Sequence, residues 1–104
     1  MLRILRFTTN RSLGPQETIK ALEAAQAAAK AAEKVAGVKS CTLYMGTGAL
    51  VFAALSDGYA AADKALADAG VQATFGRLGQ EFGYAFTGDE FLLDPDQIYP
   101  FIKS

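Results

Sequence analysis

Lys39–Leu55 reads KSCTLYMGTGALVFAAL, and this stretch decides the fold. From Lys39 to Met45 the side chains alternate, Cys41, Leu43 and Met45 on one side and Ser40, Thr42 and Tyr44 on the other, which is the period of a strand. Gly46-Thr47-Gly48 then allows a tight turn with positive φ, and Ala49 to Leu55 resumes as a second strand. The middle of the chain is therefore a hairpin.

On the N-terminal side, Leu2 to Thr9 (LRILRFTT) is rich in β-branched and aromatic residues and is closed by the loop-forming cluster Asn10 to Pro15. Pro15 to Ala36 reads as a helix, with proline at its first position, Glu17 in the first turn and Gly37 as its stop. Nine of the sixteen residues from Ala21 to Ala36 are alanine, which favours the helix and lets its backbone approach a sheet closely.

On the C-terminal side, Ser56 or Asp57 can cap a second helix that carries Tyr59, Ala62, Leu66 and Ala69 on one stripe and ends at Gly70. Val71 to Phe75 then reads as a fourth strand. The order is β-α-β-β-α-β, an α+β chain whose compact form is a ferredoxin-like plait: a four-stranded antiparallel sheet with both helices on one face. Beyond it, Phe82 to Phe86 and Glu90 to Leu93 flank Thr87-Gly88-Asp89 as an extra hairpin or tail, and Asp94-Pro95 opens a helical turn that Pro100 limits. The 104 residues suit one domain (1–104), with a core at 2–77 and an extension at 78–104.

Composition removes several functions. Lys and Arg total 10 against 11 Asp and Glu, so no bulk positive field draws the chain to nucleic acid or to anionic membranes. The longest apolar run, Ala49 to Leu55, is seven residues, far short of the roughly 20 that span a bilayer. A single Cys41 forms no internal disulfide, and Arg3 and Arg6 interrupt any leader-like apolar run, so a reducing cytoplasm is the expected setting. Histidine is absent, which removes Ser-His and Cys-His nucleophile pairs, a proximal haem ligand and histidine-containing metal triads. No metal and no cofactor is expected.

Two helices cover one face of such a sheet, yet Ala49 to Leu55 is apolar on both sides, and the first strand offers Leu2 and Ile4 in one phase and Leu5 and Phe7 in the other. A one-sided sheet would be polar outward, so the surplus apolar face predicts a homodimer joined through sheet faces. At about 800 Å² per partner and roughly 25 cal/mol per Å² of apolar area, such an interface outweighs ordinary rim contacts. The competing expectation is that Phe82 to Leu93 folds back over its own sheet.

Four residues form the candidate ligand-binding neighbourhood: Arg6, Asn10, Tyr44 and Arg77. Arg6, in a largely apolar strand, needs a carboxylate, either a ligand's or that of Glu81, Asp89 or Glu90. Tyr44 can donate a hydrogen bond or serve as an amphipathic interface residue. Cys41 reads as a small buried hydrophobe, since no histidine can activate its thiol. Gly76, Gly79, Gly83 and Gly88 match no phosphate-loop spacing and read as turns or bulges. Gly83-Tyr84-Ala85-Phe86 echoes an RNA-stacking motif but lies among Asp89, Glu90, Asp94 and Asp96, which read as solvated acids or a cap.

GVKSCTLY (Gly37–Tyr44), LVFAALSD (Leu50–Asp57) and the helix through Ala65-Leu66 together resemble the dimeric α+β barrel superfamily, especially its antibiotic-biosynthesis-monooxygenase-like domains, over roughly Leu2 to Phe75. The resemblance implies two sheets packed face to face and a small organic molecule held between sheet and helices. Leu55 stands where many catalytic members have tryptophan, and Ala67-Asp68 follow Ala65-Leu66 where many have histidine; neither residue type occurs in this chain. The expectation is a small homodimeric barrel that binds an organic molecule with no identifiable catalytic constellation. The alternative is a cofactor-independent monooxygenase or isomerase acting on an aromatic or polyketide-like substrate, with Asn10 and Arg77 stabilising an enolate that Tyr44 orients.

Overall fold

A computed structural model describes residues 1–96. Its elements run β1 (Leu2–Thr8), α1 (Pro15–Glu33), β2 (Val38–Gly46), β3 (Ala49–Ser56), α2 (Tyr59–Ala67), α3 (Ala69–Phe82) and β4 (Ala85–Leu92). The chain is α+β, with a four-stranded sheet in the order β2-β3-β1-β4 and every pairing antiparallel.

The hairpin stands where the alternation puts it. Gly48 adopts φ +68°, and its carbonyl accepts a 2.9 Å hydrogen bond from the Thr9 amide, which ties the turn to the end of β1. Pairing sets Leu43 opposite Phe52 and Phe52 opposite Leu5, so β1, β2 and β3 turn one phase of side chains toward the helices.

α1 explains the alanine run. Ala21, Ala24, Ala25, Ala28, Ala29 and Ala32 are all buried, a stripe at helical spacing that brings the helix backbone close to the sheet. On the other edge of α1, Glu33 accepts a 3.0 Å hydrogen bond from the Cys41 amide and thereby satisfies part of the free edge of β2.

The segment after Gly70 departs from expectation. Val71 to Phe75 is not a strand but part of α3, a helix beyond the two expected before it. Two local signals account for it. Asp68 accepts from the Val71 amide at 3.1 Å as an N-cap and starts a new helix, leaving Gly70 within its first turn. Val71, Phe75, Leu78 and Phe82 then recur at helical spacing and join the core. At the far end Gly83 takes φ +74°; its amide bonds to Gly79 and that of Tyr84 to Leu78, the Schellman closure that favours glycine. The first turn of α2 is likewise capped differently: its N-cap is Gly58, with neither Ser56 nor Asp57 as side-chain cap.

The hairpin expected between Phe82 and Leu93 is instead one strand. β4 lies beside β1 as a sheet edge, with the irregularity near Thr87 taken up by a register shift between Arg6 and Phe7. The expected boundary at residue 77 between core and extension falls inside α3, and the C-terminal third completes the sheet. Pro95 and Asp96 are helical, as a turn from Asp94-Pro95 requires, while Pro100 lies outside the described residues.

Replacing Asp68 by alanine removes the α3 cap and is expected to lower stability by about 1 kcal/mol. Urea denaturation of the Asp68→Ala variant checks this: an unchanged midpoint would mean the cap contributes nothing.

Candidate functional site

Between the sheet and the helices lies a partly open apolar cavity of about 30 Å³. Leu5, Phe52 and Ala54 form its floor, α1 contributes Ala28 and Ala32, α2 contributes Ala62, Ala65 and Leu66, and α3 contributes Val71 and Phe75. The space exists because alanine occupies positions where a larger side chain would close it. Aromatic packing frames one end: Phe75 lies 4.8 Å from Phe7 and 5.4 Å from Phe52 between ring centroids.

Three lining residues carry polar atoms. Ser56 is buried, with its hydroxyl donating to the Gly58 carbonyl at 3.4 Å. Cys41 is buried, and loss of hydration together with the nearby Glu33 carboxylate pushes its thiol up to about 11. It is therefore protonated at neutral pH and a poor nucleophile, in keeping with its reading as a small hydrophobe. Arg3 is the third.

Arg3 is the buried arginine of this chain, at 7% exposure, whereas Arg6 is exposed. Arg3 shares the phase of Leu5 and Phe7, and its guanidinium donates to both carboxylate oxygens of Asp89 at 2.9 and 2.7 Å. It also donates to the Ala62 carbonyl at 3.4 Å, lies 3.6 Å from the Asp63 carboxylate and stacks 4.5 Å from the Phe91 ring centre. One side chain thus ties β1 to β4 and to the helix α2 that walls the cavity. The hydrogen bonds from Arg3 hold the Asp89 carboxyl below the usual carboxylate range. The carboxylate expected beside Arg6 therefore belongs to Arg3, and Glu81 pairs with Arg77.

The four candidate ligand-binding residues do not gather at this cavity. Arg77 lies exposed on α3 and bonds Glu81 one turn on at 3.0 Å. Asn10 lines a separate surface groove of about 760 Å³, together with Thr9, Arg11, Ser12, Thr18 and the β2–β3 turn. There Arg11 is engaged by Glu17 and donates to the Glu81 carbonyl at 2.7 Å, which fixes the loop between β1 and α1. Arg6 and Tyr44 stand on the opposite, open face of the sheet.

That open face has a regular composition. Its cross-strand rows are Ser40–Leu55–Leu2–Leu92, then Thr42–Ala53–Ile4–Glu90, then Tyr44–Val51–Arg6–Gly88. No helix or strand among the described residues covers it. Leu55 is 38% exposed, Leu92 44% and Tyr44 60%, so the face is largely apolar, broken by Arg6 on the interior strand β1 and Glu90 on the edge strand β4. Because Phe82–Leu93 ends in the plane of the sheet as β4, it does not fold back over this face.

Arg3 escapes the sequence reading, which singles out Arg6; its one signal is a charge in phase with Leu5 and Phe7, and that phase alone does not say which face the helices cover. Ser56 carries no comparable signal, since its burial depends on the path of α2. Among the described residues no cluster of His, Cys, Asp and Glu could hold a metal ion, and no helix is long and apolar enough to cross a membrane.

Three solved structures share this fold over about nine-tenths of the chain. The Rv0793 protein of Mycobacterium tuberculosis is 18% identical, with a TM-score of 0.65, covering 89% of this chain and 95% of its own. A Deinococcus radiodurans protein provisionally named an antibiotic biosynthesis monooxygenase is 12% identical, with a TM-score of 0.71 and coverage of 90% and 94%. An antibiotic biosynthesis monooxygenase is 13% identical, with a TM-score of 0.64 and coverage of 90% and 100%. The structural neighbours are thus antibiotic-biosynthesis-monooxygenase-like proteins of ferredoxin-like α+β fold. No family model matches the chain, and no curated protein sequence does.

Proposed function

We propose that this chain works as a homodimer that takes a small, mainly apolar molecule into the cavity between sheet and helices. The observation that carries this reading is the cavity wall: alanines from α1, α2 and β3 leave space under an otherwise well-packed core. At about 30 Å³ the space is closed to an aromatic ring, so binding requires α2 to move outward. α2 suits that role, because only two alanines, Ala62 and Ala65, are buried along it. Ser56 and Arg3 would meet a polar end of the ligand. A reducing compartment such as the cytoplasm suits the free Cys41 thiol.

Dimerisation belongs to the same reading. The open sheet face is largely apolar, and a second copy supplies cover of the same composition. The names of two structural neighbours favour a monooxygenase as a second reading, which loosely fits the alternative of a cofactor-independent monooxygenase or isomerase acting on an aromatic or polyketide-like substrate. It would have to draw on Arg3 and Ser56, since Arg77 is paired to Glu81 and Asn10 faces another groove.

Titration of ¹⁵N-labelled protein with phenol, a minimal aromatic probe, tests the binding reading. The amides of Cys41, Ala54 and Ala65 are expected to shift first and to saturate, and Ala54→Val, which fills the space, is expected to weaken binding about tenfold, one methylene-scale contact or more. Shifts confined to the Asn10 groove, or none at all, contradict it. Oxygen uptake with the same probe would separate a monooxygenase from the binding protein.

A further inference from the structure

We infer that the two copies are held in one register by reciprocal pairing of Arg6 of each chain with Glu90 of the other. This rests on the homodimer proposed above and specifies its interface. Arg6 and Glu90 are both exposed, and they stand on the open face in neighbouring strands, Arg6 opposite Gly88 and Glu90 opposite Ile4. They are the two charged residues in the cross-strand rows of that face. Neither forms an ion pair among the described residues, although every other arginine of the chain does.

Symmetry turns this into a statement about the partner. A two-fold interface brings residue i of one copy to residue j of the other and j to i, so every charge it buries must find its complement on the same face. A face with one uncompensated charge would be driven apart, or left to bury an unpaired ion. This face carries one of each sign, two residues and one strand apart, and is therefore complementary to itself. Gly88 keeps the ground beside Arg6 clear, since a Cβ there would stand 3.3 Å from the Cβ of Arg6. An anionic surface or an acidic partner would satisfy Arg6 and strand Glu90, and a basic partner would do the reverse; a second copy answers both. The apolar side chains of these rows drive association, while the charge pairs select one alignment of the two sheets over slipped ones.

Charge reversal with mixing tests it on the full-length chain by sedimentation equilibrium. Arg6→Glu and Glu90→Arg, each alone, juxtapose like charges twice in their own dimer, and each is expected to weaken self-association by about tenfold or more. Mixed in equal amounts, they restore both intermolecular pairs while each chain still carries like charges within itself. The mixture is expected to associate within about threefold of wild type, well short of one tenfold step. The control mixture is Lys30→Glu with Glu23→Lys, exposed positions on α1 with the same net charges; each of these is expected to dimerise like wild type, alone or mixed. Recovery in the Arg6 and Glu90 mixture requires folded chains, so a misfolded variant does not mimic it. If that mixture associates no better than the separate variants, or if the single reversals leave association unchanged, the pairing is wrong while the dimer stands. If wild type itself is monomeric, both fall.

Discussion

Truncating Phe52 to alanine is expected to cost about 3–5 kcal/mol, the range for removing a large buried aromatic side chain. Phe52 is 2% exposed and sits on β3 with its ring 5.7 Å from Phe7, edge to face, and 5.4 Å from Phe75. It is where the sheet, through Phe7, meets α3, so its loss leaves a void shared by both layers. A domain of this kind is stabilised by about 5–15 kcal/mol in total, so the variant retains only part of its margin. Urea unfolding at one fixed protein concentration measures it, since association contributes to apparent stability. A fall in midpoint with unchanged slope is expected; a loss under about 1 kcal/mol would place the centre of the core elsewhere.

Asp89→Asn is expected to cost about 2–3 kcal/mol at neutral pH, because it removes the counter-charge of the buried Arg3 guanidinium and turns one of its two acceptor oxygens into an NH2 group that cannot accept. Beyond the one amide oxygen left, the other partners are the Ala62 carbonyl at 3.4 Å and Asp63 at 3.6 Å, the latter with a side chain 74% exposed. The pair also sets a pH dependence. Asp89 is held below the usual carboxylate range by the hydrogen bonds from Arg3, so the folded state binds its proton more weakly than the unfolded chain does. Stability from this pair is therefore fully present above the unfolded carboxylate pKa, about 4, and is lost as pH falls below it. The wild type should show that acid-side decline below about pH 4, and Asp89→Asn should show less of it, being already destabilised at pH 7. An acid limb of equal steepness in both proteins would remove Asp89 from the account.

How much of this was readable from the residues depends on the range of the signal. The alternation of Lys39–Met45, the Gly46-Thr47-Gly48 turn and the alanine-rich helix are local, and each element lies where its pattern puts it, except that α1 ends at Glu33 with Lys34 as its C-cap, short of the expected Ala36 and Gly37. The fourth strand was misplaced because Val71 to Phe75, five residues of apolar and small character, fits a strand as well as a helix when taken alone. Extended to Leu78 and Phe82 the period becomes helical, and Asp68 supplies the cap that opens it. β4 has a weak period because its register shift near Thr87 places Phe86 beside Phe7 and Asp89 beside Leu5 on the same face. The candidate site was less legible. Arg6 drew attention as a charge in a strand, but which of two in-strand arginines is buried depends on the face that α2 and α3 cover. That choice is tertiary, and Arg3 with its Asp89 partner is separated by 86 residues.

Sedimentation velocity of the full chain across micromolar concentrations tests most directly whether a second copy covers the open sheet face. The prediction is a single species at twice the 11.0 kDa chain mass. A species at the mass of one chain throughout that range would contradict it.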